Sequence, residues 1–115
     1  MPPTIQDDVR ETIKVGMGQS ISIDCRAAGF PVPVIRWEKN FQPVSVNGLS
    51  MRQVPSGALF INSTRFGDNG EYRCVASNPA GFATRTIILK VQGNEIMKMH
   101  VWDLGALIEV FRMNE

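Results

Sequence analysis

The chain has 115 residues, of which 12 are basic and 11 acidic, so that its formal net charge is +1. A content of 43% hydrophobic and 20% charged residues is typical of one globular domain and excludes a chain that is disordered throughout. The balanced, dispersed charges offer no electrostatic basis for binding nucleic acid, so we expect no such partner.

The N-terminal residues do not form a secretory signal peptide. Met1-Pro2-Pro3 lacks the basic region and the apolar region that such a peptide needs. If the protein is extracellular, we therefore expect this chain to be an excised fragment with an added initiator Met1.

Apolar and polar residues alternate along several short segments, as in strands with one buried face. In the first half of the chain, the positions predicted to point inward are Ile21, Ile23, Cys25, Ile35 and Trp37. The segment 29–33, which is rich in Gly and Pro, separates these strands, and Asn47-Gly48 is a tight-turn dipeptide.

The same alternation continues through the second half of the chain. The inward positions predicted there are Leu59, Ile61, Tyr72, Cys74, Ala76, Ile87, Leu89 and Val91. Asn78-Pro79-Ala80-Gly81 is predicted to form a hairpin loop between the last two strands. Short strands at this spacing, with no long helical period, predict an antiparallel β-sandwich.

One set of residues resembles the signature of immunoglobulin-like domains of the I-set type, over roughly residues 5–93. The residues that carry this resemblance are Cys25, Trp37, Leu59, Asp68, Gly70, Tyr72 and Cys74. The resemblance implies an all-β, two-sheet antiparallel sandwich formed by residues 1–93. It also implies that Cys25 and Cys74 bridge the sheets, that Trp37 packs on the bridge and that Tyr72 fixes a chain corner.

Two cysteines in a β-rich chain predict one disulfide and therefore an oxidising compartment. The alternative is that both thiols are reduced and buried, as in the immunoglobulin-like modules of muscle filaments. Asn62-Ser63-Thr64 is the only N-glycosylation acceptor triplet in the chain, and it favours a secreted protein. We therefore expect a glycan on Asn62 and a location outside the cell or on its surface.

Two positions near this triplet bear on the fold. Thr64 departs from the family's pattern, which usually has an apolar residue there, so we expect a slightly underpacked corner. The resemblance implies a structural role for Asp68, paired with a basic residue, and Arg52 is one candidate for that partner.

The sequence offers no catalytic or metal site. His100 is the only histidine, it lies beyond the predicted sandwich, and both cysteines are assigned to the bridge. No catalytic triad and no zinc site can be assembled from what is left. We expect no enzymatic activity and no cofactor, with an accessory domain of a larger enzyme as the alternative.

In such a sandwich, function lies on an exposed sheet face or at the loop tips. The outward positions of the third, sixth and seventh strands combine apolar groups with arginines, as protein-binding surfaces do. The candidate interaction face consists of Val34, Arg36, Glu38, Arg73, Val75 and Ile88. We expect Arg73 to be exposed, so that Arg73→Glu leaves folding intact. The alternative is an ordinary solvated face with cross-strand charge pairs.

Residues 94–115 form a short C-terminal extension outside the family's pattern. Its apolar residues recur at helical spacing, at Met97, Val101, Leu104, Ile108 and Phe111. Gly105 interrupts this pattern, and a strand over residues 97–101 competes with the helix. The extension is predicted to be disordered or to order against a second copy, and its charged residues argue against a membrane span.

The sequence as a whole predicts a non-enzymatic interaction module of a multidomain extracellular or cell-surface protein. Its work would be adhesion or the spacing of domains, and its partners would be other proteins or a second copy. The alternative is an intracellular structural module of a muscle-filament protein with reduced cysteines.

Overall fold

The computed structural model describes residues 1–6, 9–46, 48 and 50–93 of the chain. The strands in these residues are β1 (Thr4–Ile5), β2 (Glu11–Gly16), β3 (Ile21–Ile23), β4 (Ala27–Ala28), β5 (Val34–Lys39), β6 (Gln42–Pro43), β7 (Met51–Gln53), β8 (Leu59–Ile61), β9 (Gly70–Asn78) and β10 (Gly81–Gln92). A single 3-10 turn in the same residues, Phe66–Asp68, precedes β9. Within the described ranges, no helix is long and apolar enough to cross a membrane.

The strands form the two layers of a sandwich. One layer is a five-stranded sheet in the order β2-β10-β9-β5-β6. The other contains the three-stranded sheet β3-β8-β7 and the short pair β1-β4, in which β4 follows β3 after three residues. The predicted all-β, two-sheet architecture is confirmed.

One pair of strands is parallel, which the alternation pattern does not predict. β1 pairs with β4 in one layer, whereas β2 pairs with β10 in the other, so the N-terminal segment changes sheets between them. After this change β2 runs in the same direction as β10, with Glu11 opposite Ile87 and Gly16 opposite Gln92. Every other strand pairing among the described residues is antiparallel.

The core lies between the layers and contains most of the apolar residues predicted to point inward, with Ile21 and Ile35 only partly buried and with Ile5 and Val15 in addition. Those with almost no exposed surface are Ile23, Leu59, Ile61, Tyr72, Cys74, Ala76, Ile87 and Leu89. The Cys25–Cys74 disulfide joins the two layers inside this core. Because side chains alternate between the two faces of a strand, a period of two residues places every second side chain here.

Trp37 is buried against the core, and its polar atom has a partner. The indole Nε1 donates a hydrogen bond to the carbonyl oxygen of Gly57 at 2.8 Å. Gly57 has a φ of +98°, and a Cβ atom there would lie 3.2 Å from Cγ1 of Ile35. A glycine is therefore needed at residue 57, both for its backbone conformation and for the close approach of β5.

Tyr72 fixes the corner at which the 3-10 turn leads into β9. Its hydroxyl donates a hydrogen bond to the carbonyl oxygen of Asp68 at 2.7 Å, and its ring is fully buried. Asn69 Oδ1 accepts a hydrogen bond from the backbone N–H of Val91 at 2.8 Å, which ties the same corner to β10. Gly70, beside this corner, has a φ of +157°, a conformation that residues with a Cβ atom rarely adopt.

Arg52, one candidate for the basic partner of Asp68, is not the residue that it contacts. Asp68 Oδ2 accepts a hydrogen bond from the backbone N–H of Arg65 at 2.8 Å. The guanidinium of Arg52 lies instead 5.0 Å from the centre of the Phe60 ring. The short turn brings the carboxylate back onto the residue that precedes the turn, so Asp68 caps the turn locally.

The corner at Thr64 is closed by hydrogen bonds rather than left underpacked. Thr64 is 1% exposed, and its hydroxyl oxygen lies 2.8 Å from Gln19 O and 3.1 Å from Gly16 O. Its backbone N–H donates to Gln19 O at 2.9 Å, and its carbonyl accepts from Gly18 N at 2.8 Å. A polar side chain replaces the expected apolar one here because the turn between β2 and β3 offers it two carbonyl groups.

The environment of Tyr72 predicts a dependence of stability on alkaline pH. Burial and, to a smaller extent, the negative charge of Asp68 raise the pKa of the Tyr72 hydroxyl above its ordinary value. The stability that this shift contributes is complete below about pH 10, where the unfolded tyrosine ionises, and is lost as pH rises towards the folded-state pKa. We expect the free energy of unfolding to fall above about pH 10, by up to about 1.4 kcal/mol per pH unit from this group.

Tyr72→Phe tests this expectation, because the variant lacks the ionising group. It should be less stable than the wild type by about 1 kcal/mol at neutral pH, and this difference should shrink above about pH 10. The chain contains one tyrosine, so the ultraviolet absorbance of tyrosinate reports the ionisation of Tyr72 alone. Ionisation near its ordinary pKa in the folded protein would contradict the prediction.

Candidate functional site

The outer face of the five-stranded sheet presents a continuous surface across β5, β9 and β10. The pairing register places its residues in rows, and the face consists of Val34, Arg36, Glu38, Arg73, Val75, Ser77, Phe82, Thr84, Thr86 and Ile88. Five of the six predicted members of the interaction face are wholly or partly exposed on it, and Val75 is not.

One end of the outer face is strongly apolar. Val34 and Phe82 both flank Ser77 in the register, and they are 70% and 71% exposed. The adjoining loop between β4 and β5 adds the exposed side chains of Phe30 and Val32. Phe82 is not among the predicted residues of the face, although the outward alternation from Ile88 through Thr86 and Thr84 reaches it after three steps of two residues.

The middle of the outer face contains an organised group of three side chains. Arg73 donates hydrogen bonds to Glu38 Oε1 from Nη2 at 2.6 Å and from Nε at 3.0 Å. The same guanidinium lies 5.1 Å from the centre of the Phe41 ring, a cation–π contact. Phe41 follows Asn40 in a turn where both residues have positive φ, of 68° and 50° respectively. Such a backbone conformation is uncommon for a bulky residue, so the surrounding structure must hold the turn in place.

This arrangement changes what is expected of Arg73. Its side chain is 33% exposed and that of Glu38 is still less exposed. Arg73→Glu would place a second carboxylate against Glu38 and remove the cation from Phe41. The expectation that Arg73→Glu leaves folding intact assumed an exposed side chain without a partner, and Arg73 is instead partly buried and paired with Glu38. Another position is therefore better suited to test the face.

Val75 differs from its expected exposure, because it is 4% exposed. It lies on β9, the central strand, between Arg36 on β5 and Thr84 on β10. A short side chain on a central strand is covered by the side chains of the strands on either side of it. The alternation of side chains predicts the face on which Val75 lies, but it does not predict how far neighbouring side chains bury it.

Arg36 is the most accessible charged residue of the outer face. It is exposed, and in the part of the chain that the structure describes its side chain makes no hydrogen bond or ion pair. It lies one row from the apolar pair Val34 and Phe82 and one row from Glu38 and Arg73. A cation with no fixed partner next to exposed apolar groups is suited to contact another molecule.

The remaining predicted site residues lie elsewhere. Asn62 follows β8 on the opposite layer, where it is exposed, and its Oδ1 accepts a hydrogen bond from Ser20 Oγ at 3.1 Å. Outside the described residues lie His100 and the residues of the predicted self-association segment, Met97, Val101, Leu104, Ile108 and Phe111. In the described ranges, no group of three or more His, Cys, Asp or Glu side chains is placed to hold a metal ion.

The chain is similar to known proteins over most of its length. The family model of the Immunoglobulin I-set domain matches residues 3–91. Hemicentin-2 of Mus musculus is 39% identical over 85 residues, which are 74% of this chain and 2% of hemicentin-2. Netrin receptor DCC of Mus musculus is 42% identical over 76 residues, which are 64% of this chain and 5% of the receptor. The chain thus spans a small fraction of these relatives.

A solved structure is similar as well. The crystal structure of the titin M3 domain matches with a TM-score of 0.71 at 32% sequence identity. The match covers 79% of this chain and 97% of the titin domain. The similarity therefore extends across nearly all of that domain.

Proposed function

Since this chain belongs to the immunoglobulin I-set family, we propose that it is a non-enzymatic module that binds another protein through the outer face of its five-stranded sheet. The observation that carries the proposal is the exposure of Val34, Arg36 and Phe82 at one end of that face, with Val34 and Phe82 on either side of Ser77. The name of one relative, Netrin receptor DCC, supports a role in recognising proteins.

The outer face has the composition that binding surfaces use. Aromatic residues and arginine supply most of the free energy at protein interfaces, when apolar neighbours exclude water around them. Phe82 and Arg36 are of these types. Val34 lies two residues from Arg36 on β5 and across Ser77 from Phe82. Glu38, Arg73 and Phe41 hold one another in place, so this part of the surface would lose little side-chain entropy on binding.

A location outside the cell or on its surface is part of this proposal. The Cys25–Cys74 disulfide supports it, because such bonds persist mainly in oxidising compartments. The similarity to the titin M3 domain supports the alternative, an intracellular structural module. The redox state of the two cysteines in the native protein distinguishes these two locations.

Arg36→Glu tests the binding face. Because Arg36 is exposed, we expect the substitution to change the free energy of unfolding by less than about 0.5 kcal/mol. The wild type is first tested for binding against a panel of extracellular domains that includes a second copy of this chain. We expect Arg36→Glu to bind the protein that the wild type recognises at least about tenfold more weakly. The measurement is equilibrium binding by surface plasmon resonance.

Arg52→Glu is the matched control. Arg52 is exposed on the opposite layer and undergoes the same change of charge. Its binding should equal that of the wild type. If Arg52→Glu weakened binding and Arg36→Glu did not, the site would lie on the β3-β8-β7 sheet and the proposal would fail.

Self-association through residues 94–115 is a separate proposal, carried by the apolar spacing of that segment. Light scattering should give a larger mass per particle for the full chain than for a chain ending at Gly93. Identical monomeric profiles would identify the segment as an inert extension. The Arg36→Glu variant of the full chain should retain this association if the segment alone causes it.

A further inference from the structure

The acceptor triplet Asn62-Ser63-Thr64 is divided between solvent and the protein interior. Asn62 is exposed, whereas Thr64 is 1% exposed and directs its hydroxyl at the carbonyl groups of the turn between β2 and β3. The amide that would carry a glycan therefore faces water. The hydroxyl of the same triplet does not.

The backbone of the triplet is also held in the fold. Its three N–H groups donate hydrogen bonds, in chain order, to Ser50 O at 2.8 Å, Ser20 Oγ at 3.0 Å and Gln19 O at 2.9 Å. Ser63 has a φ of +51°, so the middle of the triplet is not extended. Moving the triplet into the active site of an enzyme would require breaking these bonds.

The chemistry of N-glycosylation needs both ends of the triplet. The Nδ2 atom of asparagine attacks C1 of the first sugar of a lipid-diphosphate-linked oligosaccharide. The C1–N bond forms, the C1–O bond to the diphosphate breaks, the lipid diphosphate leaves, and the amide gives up one proton to a base of the enzyme. Because acceptor triplets require Ser or Thr at the third position, the transferase must also contact that hydroxyl.

We propose that Asn62 is glycosylated only while the Thr64 corner is unfolded, and that the folded module accepts the finished glycan but is not a substrate for its transfer. In the fold, the Thr64 hydroxyl is bound to Gln19 and Gly16 and is shielded from any enzyme. The Asn62 side chain remains exposed, so an attached glycan would extend into solvent. This inference rests on the extracellular location in the proposed function but not on the binding face.

A direct test uses the full chain, made without a glycan, in two forms. One is the native, oxidised protein; the other is reduced and alkylated at Cys25 and Cys74, and shown by circular dichroism to be unfolded. Each is incubated with microsomal oligosaccharyltransferase and its lipid-linked oligosaccharide, and glycan addition is followed by intact mass. The unfolded form should be modified at least about tenfold faster than the native form, since closure of the corner protects Thr64.

Asn62→Gln in the unfolded form should abolish the mass increase and so locate the glycan. Thr64→Ser in the unfolded form should retain modification, because it keeps a hydroxyl in the triplet. Equal rates for the native and unfolded forms would overturn the proposed dependence on folding. Failure of both forms to be modified would remove Asn62 as a glycosylation site and would leave the binding test with Arg36→Glu unaffected.

Discussion

Replacing both Cys25 and Cys74 by alanine should lower the free energy of unfolding by about 4 kcal/mol. The disulfide joins residues 49 positions apart in the sequence, and a cross-link over a loop of this length removes that amount of chain entropy from the unfolded state. Both residues are buried in the core, so the loss of the sulfur atoms adds a packing cost. Domains of this size are stable by only about 5–15 kcal/mol, so the variant should be marginal.

Denaturant unfolding of the wild type and the double variant measures this difference. Adding a reductant to the double variant should change nothing further, because it has no disulfide left to break. A mass measurement on the freshly purified protein, with and without a thiol-labelling reagent, gives the native redox state. Two free thiols there would contradict the prediction and favour the intracellular alternative.

Trp37→Ala should be comparably destabilising, by about 3–5 kcal/mol. The indole is almost completely buried in the core, and its removal leaves a cavity that the surrounding strands close only in part. It also leaves the carbonyl oxygen of Gly57 without the donor that Trp37 Nε1 provides. Thermal and denaturant unfolding followed by circular dichroism would measure the loss.

Trp37→Phe separates the two contributions at this position. The phenyl ring retains much of the buried volume but has no N–H group, so the variant should lose about 1–3 kcal/mol. If Trp37→Ala cost no more than Trp37→Phe, the cavity would contribute nothing and the indole would not be part of the core. Both variants should retain the disulfide, which a mass measurement confirms.

The fold was largely predictable because strands with one buried face alternate with a strict period of two. Ile23, Leu59 and Ile87 were placed in the core from this pattern, and all three are buried. The parallel pairing of β2 with β10 was not predictable in this way. It depends on the change of sheets after β1, which alternation within a strand does not encode.

The candidate site was predictable only in part, since its details depend on contacts between distant residues. Arg73 and Glu38 are 35 residues apart in the sequence. The register of β5 and β9 places them opposite each other, and their hydrogen bonds follow from that pairing. The hydroxyl of Thr64 finds carbonyl groups more than 40 residues away. Asp68 shows the opposite case, because a local turn supplies the partner of a carboxylate for which the more distant Arg52 was one candidate.

The parallel alignment of β2 with β10 has a mechanical consequence. A force that draws the start of β2 and the end of β10 apart acts along both strands, in opposite directions. The force loads the two paired strands in shear, from the pair Glu11 and Ile87 to the pair Gly16 and Gln92. The hydrogen bonds between β2 and β10 then share the load and do not open one after another. A module built in this way resists stretching along its length better than it resists peeling from one edge.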